Sequence, residues 1–294
     1  MADRPRKPAA KRWTYTEHSG LRVEDVLQST GVPGLRTTDL EVVFQPIVDL
    51  RTKRLFAVEH LVRSRNATYP HPGALLQAAV DAQVIGRLGR LIREVGFQRC
   101  PRTTAFVNVH PLELATRWLV RPDDPMTMHD GALFLEVTET TALEYFDLCR
   151  GVLREICART GANLVVDDLG AGHSNLLRII DLEPKVVKLD LALVQGVATS
   201  YRKQVLMRNV VRLCEELGAS VVAEGIETAD DLSAVIDQGC HFGQGYLFAR
   251  PAFPVPEVVW PDDGPAPSRS VHPPPRIRER RDTEPTGPFV LPTE

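Results

Sequence analysis

The sequence predicts an α/β fold, a (β/α)8 TIM-type barrel in which one strand runs antiparallel to its neighbours. Eight short apolar runs alternate with longer segments whose apolar residues recur at the helical period, an alternation typical of a barrel surrounded by helices. The first two runs are separated only by Leu50 to Lys53. Because a parallel crossover needs about a dozen residues, strands one and two are predicted to form a hairpin.

The predicted elements follow one another in a regular order. The strand-like runs are Glu41 to Val48, Arg54 to Val62, Thr104 to Val109, Ala132 to Val137, Asn163 to Asp167, Val186 to Leu189, Ser220 to Ala223 and a short run near His241 to Gly243. Helical patterns occupy Leu75 to Val95, Ala142 to Thr160, Lys203 to Leu217 and Ala229 to Gln238. Three glycines, which favour the left-handed conformation of a helix end, stand where helices should stop: Gly161, Gly218 and Gly239.

The flanks differ in composition from the barrel. Residues 1–38 are predicted to be a basic, mostly irregular N-terminal extension, and residues 39–258 the barrel domain. Twelve of the 23 prolines lie in the last 44 residues, so residues 259–294 are predicted to be a Pro/Arg-rich, disordered tail. Such a tail is more often a solvated segment than a docking site for a protein partner, and both interpretations stay open.

Composition excludes several classes of protein. With 43% hydrophobic and 25% charged residues, the 294-residue chain is neither disordered nor fibrous. No apolar run reaches the roughly 18 to 20 residues that span a bilayer, and the five cysteines form no CxxC pair. A net charge of −3 gives no reason to expect nucleic-acid binding. We therefore expect a cytoplasmic protein that binds neither DNA nor membrane.

Polar side chains end the predicted strands from the second to the eighth. They are Glu59, Asn108, Glu136, Asp167 with Asp168, Lys188, Glu224 and Gln244. A single polar residue at a strand end is usually only solvated. Seven strand ends in succession instead favour one common site, because barrel enzymes carry their chemistry at the carboxyl ends of the strands.

The types of side chain in this set narrow the choice of cofactor. Carboxylate and amide oxygens without cysteine suit Mg²⁺, Mn²⁺ or Ca²⁺ better than zinc. The five carboxylates carry −5 and the lysine +1, so two divalent cations would neutralise the remaining −4. Two cations about 3.5 to 4 Å apart are the recurring arrangement for phosphodiester hydrolysis. The sequence therefore predicts a two-cation site for an anionic substrate.

Seven segments resemble, in order and spacing, those of the EAL-domain cyclic di-GMP-specific phosphodiesterases. They are FQPIVDLRTKRLFAVEHLVR (Phe44 to Arg63), FVNVHP (Phe106 to Pro111), LEVTET (Leu135 to Thr140), VVDDLGAGHSNL (Val165 to Leu176), VVKLD (Val186 to Asp190), AEGIET (Ala223 to Thr228) and GQGYLFARP (Gly243 to Pro251). The resemblance covers about residues 39–258. It implies a barrel with one antiparallel strand and a hydrolase that opens cyclic di-GMP to linear pGpG.

The resemblance also implies a role for each matching residue. The implied metal ligands are Glu59, Asn108, Glu136, Asp167 and Asp168, and the implied catalytic residues are Lys188, Glu224 and Gln244, with the lysine orienting the attacking water. The implied substrate contacts are Gln45, Leu61 and Arg63, and Glu139 is implied to anchor the loop after Asp168. The implied cofactors are two ions of Mg²⁺ or Mn²⁺, with Ca²⁺ as an inhibitory ion. The implied partners are cyclic di-GMP and a second copy of the chain, which would pack through the helices after Asp190 and at Lys203 to Leu217.

This chain departs from the family pattern at several positions. His60 stands where alanine is usual, and strand alternation predicts that it points outward to the helices. The loop after the aspartate pair differs at Leu169, Ala171, His173 and Asn175, which puts catalytic rate and regulation in question. His110 replaces a common serine, and the sequence alone leaves open whether it reaches the site.

Two functions from different classes fit these residues. The favoured one is an active phosphodiesterase. The alternative is a receptor that binds cyclic di-GMP and signals through a protein partner. Catalytically inactive relatives usually lack the glutamate at the position of Glu59 or the aspartates at the positions of Asp167 and Asp168. The presence of all three residues in this chain favours hydrolysis. A barrel enzyme for another anionic substrate is a third and weaker alternative.

Overall fold

The structure of the chain, a computed structural model, describes residues 31–115, 119, 121–138, 147, 149–170 and 181–261. The predictions for most of the N-terminal extension, for nearly all of the tail and for Glu139 lie outside these residues. No helix among the described residues is long and apolar enough to cross a membrane.

The described residues form eight strands that close into a barrel in sequence order. They are β1 (Leu40–Asp49), β2 (Arg54–Ser64), β3 (Ala105–Asn108), β4 (Leu133–Thr138), β5 (Asn163–Leu169), β6 (Val186–Leu189), β7 (Ser220–Ala223) and β8 (Phe242–Gly243). β1 pairs antiparallel with both β2 and β8, and every other neighbouring pair is parallel. The predicted barrel and its hairpin are confirmed.

Helices surround the barrel between the strands. Within the described ranges the α-helices are α1 (Pro72–Asp81), α2 (Ile85–Arg99), α3 (Pro111–Leu114), α4 (Arg154–Thr160), α5 (Leu191–Val194), α6 (Tyr201–Glu216) and α7 (Ala229–Asp237). The three glycines predicted at helix ends have φ of 72°, 77° and 91°, the left-handed region that glycine enters without strain. The helix ends predicted at Gly161, Gly218 and Gly239 are confirmed.

The prediction of one continuous helix over Leu75 to Val95 is wrong. The chain breaks after α1 at Gln83, which has φ of 55°, and starts again as α2 at Ile85. The sequence carries a sign of this break, because Val80 and Ile85 are five residues apart, beyond the spacing of three or four that a single apolar helix face requires.

The barrel interior has an apolar floor below a polar layer. The floor consists of Ile47, Ala57, Phe106, Phe134, Val165, Val186, Val222 and Phe242, with Phe56 packed against it. A register shift opposite Ile47 and Val48 leaves Phe56 as an extra residue of β2, and its ring stacks on Phe242 at 4.0 Å. Because strand side chains alternate, the residue two positions nearer the mouth on each strand also points inward.

Candidate functional site

The polar layer is formed by eight residues, each two positions from a floor residue. Its members are Gln45, Glu59, Asn108, Glu136, Asp167, Lys188, Glu224 and Gln244. Six lie within strands, and Glu224 and Gln244 directly follow β7 and β8. Because they share one level of the barrel, the fold brings together residues that lie up to 199 positions apart. The expectation that Glu59 ends its strand is wrong, because β2 continues to Ser64, beyond the level of the barrel rim.

Lys188 lies at the centre of this layer and is 1% exposed. Its Nζ is 2.6 Å from Glu224 Oε1 and 2.7 Å from Glu136 Oε1, and it is 3.4 Å from Asp167 Oδ1 and 3.5 Å from Glu59 Oε2. One buried cation therefore faces four carboxylates.

Two amides fix the carboxylate of Glu59. Gln244 Nε2 donates to Oε2 at 2.6 Å, and Asn108 Nδ2 donates to Oε1 at 3.0 Å. Gln244 Nε2 also lies 3.2 Å from Gln45 Oε1, which joins Gln45 to the same network. The two oxygens of Glu59 are thus held by residues on either side of its strand, Asn108 of β3 and Gln244, which follows β8.

Asp167, Asp168 and Glu224 form an acidic cluster at the mouth. Each offers a carboxylate oxygen that lies within 4.8 Å of the other two. Asp168 has φ of 60°, a conformation that is uncommon for any residue other than glycine. Its backbone N–H donates to Asp167 Oδ1 at 2.9 Å. This turn places two successive carboxylates beside Glu224.

The pKa values show that the layer carries more negative charge than Lys188 offsets. Burial raises the pKa of Glu136 well above its ordinary value and that of Glu224 to about 8, despite the charge of Lys188. Burial, Asp167 and Asp190 raise the pKa of Asp168. Burial acts the same way on Glu59, but Lys188 and the two amides outweigh it and lower its pKa. Without a further cation, some of these carboxylates hold protons at neutral pH.

The donor set fits hard divalent cations. Both oxygens of Glu136 and the Oε1 of Gln244 are buried. Glu136 Oε1 faces Lys188 Nζ at 2.7 Å, whereas Glu136 Oε2 and Gln244 Oε1 have no hydrogen-bond partner among the described residues. Buried oxygens of this kind need a cation or a proton, and carboxylate and amide oxygens are the ligands that Mg²⁺, Mn²⁺ and Ca²⁺ prefer. The site can therefore bind a divalent cation.

The expected substrate contacts have different positions. Gln45 belongs to the polar layer. Leu61 and Arg63 lie two and four residues beyond Glu59 on the same face of β2, which extends above the layer. The guanidinium of Arg63 donates to the carbonyl of Val62 at 2.8 Å. Asp190, which raises the pKa of Asp168, is missing from the predicted site. It lies two residues beyond Lys188, and this spacing is the signal that could have identified it.

The two unusual histidines have their own surroundings. His60 points outward, as alternation predicts. Its ring packs edge-on against Phe44, with 5.0 Å between ring centroids, and is tilted against Phe97 of α2 at 5.5 Å. His110 caps α3, since its Nδ1 accepts a hydrogen bond from the backbone N–H of Leu112 at 3.2 Å. His60 is therefore part of the helix-packing layer, and His110 has a structural role at the turn after β3.

Comparison with known proteins identifies the same family that the sequence motifs resemble. The EAL domain family matches residues 27–251. The cyclic di-GMP phosphodiesterase RocR of Pseudomonas aeruginosa is 31% identical over 245 residues, which cover 75% of this chain and 59% of RocR. The chain spans 37% to 59% of the length of several curated relatives that it matches.

Two solved structures have the same fold and contain the nucleotide. BlrP1 of Klebsiella pneumoniae, in a complex with calcium and cyclic di-GMP, is 30% identical with a TM-score of 0.63, over 73% of this chain and 56% of BlrP1. BlrP1 was also solved with manganese and cyclic di-GMP. The PaMucR phosphodiesterase in complex with c-di-GMP is 25% identical with a TM-score of 0.65, over 73% of this chain and 92% of PaMucR.

Proposed function

Because the chain belongs to the EAL domain family, we propose that it is a metal-dependent phosphodiesterase that hydrolyses cyclic di-GMP to linear pGpG. The observation that carries this proposal is the polar layer, in which Lys188 and four carboxylates meet above a closed apolar floor. The names of RocR and PaMucR and the nucleotide in the BlrP1 complex support the substrate.

The proposed metal ligands are Glu59, Asn108, Glu136, Asp167 and Asp168. Two Mg²⁺ or Mn²⁺ ions, when bound, would polarise the phosphate and lower the pKa of a water molecule between them. The buried Oε2 of Glu136, which has no hydrogen-bond partner among the described residues, supports a cation at this level of the barrel. Glu224 lies within the acidic cluster and would complete the surroundings of the second ion.

The chain's own groups orient the reactants. Lys188 Nζ, held between Glu136 and Glu224, is a buried donor that can hold the attacking water or a phosphate oxygen. Gln244 orients Glu59. Arg63, above the layer, can pair with a phosphate of the nucleotide, for which a guanidinium is well suited. The apolar floor closes the barrel below and excludes bulk water from that side.

Hydrolysis can be tested directly by chromatography of cyclic di-GMP incubated with the purified protein. We expect pGpG in Mg²⁺ or Mn²⁺ and none in EDTA. Glu59→Ala should lower turnover by more than about 100-fold, because even outer-shell partners of a metal contribute about 10- to 100-fold. Glu155→Ala, which removes an exposed carboxylate from α4, should leave turnover unchanged and is the matched control.

The receptor is the second candidate, and the same experiment separates it from the enzyme. Wild-type protein that binds cyclic di-GMP in Mn²⁺ but yields no pGpG over hours would refute hydrolysis and favour the receptor. Nucleotide affinity that stays the same in excess EDTA would refute the proposal that cations neutralise the carboxylates for an anionic substrate.

A further inference from the structure

A second cluster of buried charges lies outside the barrel, behind the turn that follows β3. Arg93 of α2, Glu113 of α3 and Asp124 are 1%, 2% and 0% exposed, and we call them the ion triad. Arg93 donates to Glu113 Oε2 at 2.9 Å and to both oxygens of Asp124 at 2.9 and 3.2 Å. Since apolar residues often replace such buried clusters without loss of stability, the burial of these charges is by itself weak evidence for a stabilising role.

Helix α2 is shaped to receive the carboxylate of Glu113. Gly89 lies one helical turn before Arg93, and a Cβ at this position would overlap the carboxyl group of Glu113. Glycine disfavours a helix interior, so its presence at this contact has a cost in helix stability. Gly89 and Arg93 together therefore form a pocket on α2 that fixes where Glu113 lies.

The other oxygen of Glu113 holds the turn that leaves the barrel. Oε1 accepts a hydrogen bond from the backbone N–H of His110 at 3.2 Å, and the backbone N–H of Glu113 donates to the carbonyl of His110 at 2.8 Å. Within the same turn, Val109 N–H donates to the carbonyl of Glu136 at 2.9 Å. His110 is two residues after Asn108, so the ion triad is connected to the polar layer through one short segment.

Asn108 depends on this segment for its position. It is the one exposed member of the eight-residue polar layer, whose other members are buried or half-buried. Packing therefore does not fix its side chain, and apart from the hydrogen bond to Glu59 its position follows that of its own backbone.

We propose that Arg93 and Glu113 are positioning residues for the metal site. Arg93 holds Glu113, Glu113 holds the turn at His110, and the turn sets where the Asn108 amide meets Glu59 and the cation. This inference rests on the proposed function, because Asn108 is a proposed metal ligand. Neither Arg93 nor Glu113 belongs to the polar layer itself.

Glu113→Ala tests the inference. This variant should fold, because Arg93 keeps Asp124 as a partner of equal and opposite charge. In metal-free protein, amide hydrogen exchange in the peptide that contains residues 108–114 should become faster than in wild type. Calorimetry should show Mn²⁺ binding weakened by about 10-fold or more, the loss expected when an outer-shell partner is removed.

Gly89→Ala is a second variant, which keeps all three residues of the ion triad. The added methyl group should displace the Glu113 carboxylate, while alanine favours the helix. The two substitutions should weaken Mn²⁺ binding by similar factors, and the double variant should be no weaker than Glu113→Ala alone. Val211→Ala, a buried truncation in α6, controls for a general loss of stability and should bind Mn²⁺ like wild type.

Each outcome decides the inference. A folded Glu113→Ala protein with wild-type exchange in residues 108–114, or with wild-type Mn²⁺ affinity, would overturn it. A wild-type protein that binds Mn²⁺ but makes no pGpG would refute only the proposed function. A wild-type protein that binds no Mn²⁺ would refute both.

Discussion

The imidazole of His60 fits against the helix layer only because residue 96 has no side chain. A Cβ at Gly96 of α2 would overlap the Nδ1 of His60. Neither ring nitrogen of His60 has a hydrogen-bond partner among the described residues, and burial lowers its pKa to about 3. The histidine that stands where the family usually has alanine is therefore matched to a glycine on the facing helix.

This match predicts strong coupling between the two positions. Gly96→Ala should destabilise the wild-type protein by about 1 to 3 kcal/mol, the usual cost of overpacking. In a His60→Ala background the same change should be neutral or should stabilise by up to about 1 kcal/mol, since alanine favours a helix. Denaturant unfolding of the four proteins measures the coupling. Equal effects of Gly96→Ala in both backgrounds would contradict the packing argument.

The N-terminus of α7 is tied to the segment after α5 by one buried carboxylate. Asp231 accepts hydrogen bonds from the backbone N–H groups of Gly196 and Ala198 at 3.2 and 3.1 Å and from the hydroxyl of Thr228 at 3.0 Å. This contact joins the loop that carries Glu224 to the loop that follows Lys188. Two loops at the mouth of the barrel therefore share one anchor.

Asp231→Ala should lower the free energy of unfolding by about 2 to 3 kcal/mol, because it leaves two backbone donors without their acceptor. Asp230→Ala is the matched control. It removes the same charge from the same helical turn, but Asp230 is exposed, so its effect should stay within about 0.5 kcal/mol. Comparable losses of stability in both variants would show that helix-terminal charge, and not the buried anchor, is what matters.

The sequence predicted the elements with strong local patterns and missed those set by distant contacts. The strands and most of the polar layer were predictable because a polar residue stands near the carboxyl end of each otherwise apolar run, as Glu136 does in β4. The ion triad was not predictable, because Arg93 is 20 residues from Glu113 and 31 from Asp124. In the sequence each of the three residues resembles an ordinary surface charge. The bulge at Phe56 likewise depends on pairing between strands, which single-strand periodicity does not reveal.

Across the whole molecule, buried histidines and buried carboxylates respond to pH in opposite directions. Burial lowers the pKa of His60, His110 and His241, so their unfolded forms bind more protons below about pH 6.5 and stability falls on acidification. Burial raises the pKa of Glu224 to about 8 and that of Glu136 well above its ordinary value. Between their ordinary pKa of 4.5 and these raised values the carboxylates hold protons only in the folded protein, so their contribution to stability is lost as the pH rises through this range.

Because the histidines contribute little further change above about pH 6.5, we expect the metal-free protein to lose stability from there to about pH 8. The slope should approach about 1.4 kcal/mol per pH unit for each proton released. Mn²⁺ should raise the melting temperature more at pH 8 than at pH 6.5, because it takes the place of those protons. Thermal unfolding in EDTA and in Mn²⁺ across this range measures both effects.

Glu224→Gln, which cannot titrate, should reduce the loss of stability between pH 6.5 and 8, which is the alkaline limb of the pH profile. A metal-free melting temperature that rises toward pH 8 would contradict the assignment of this limb to the polar layer, and an unchanged slope in Glu224→Gln would contradict the share assigned to Glu224.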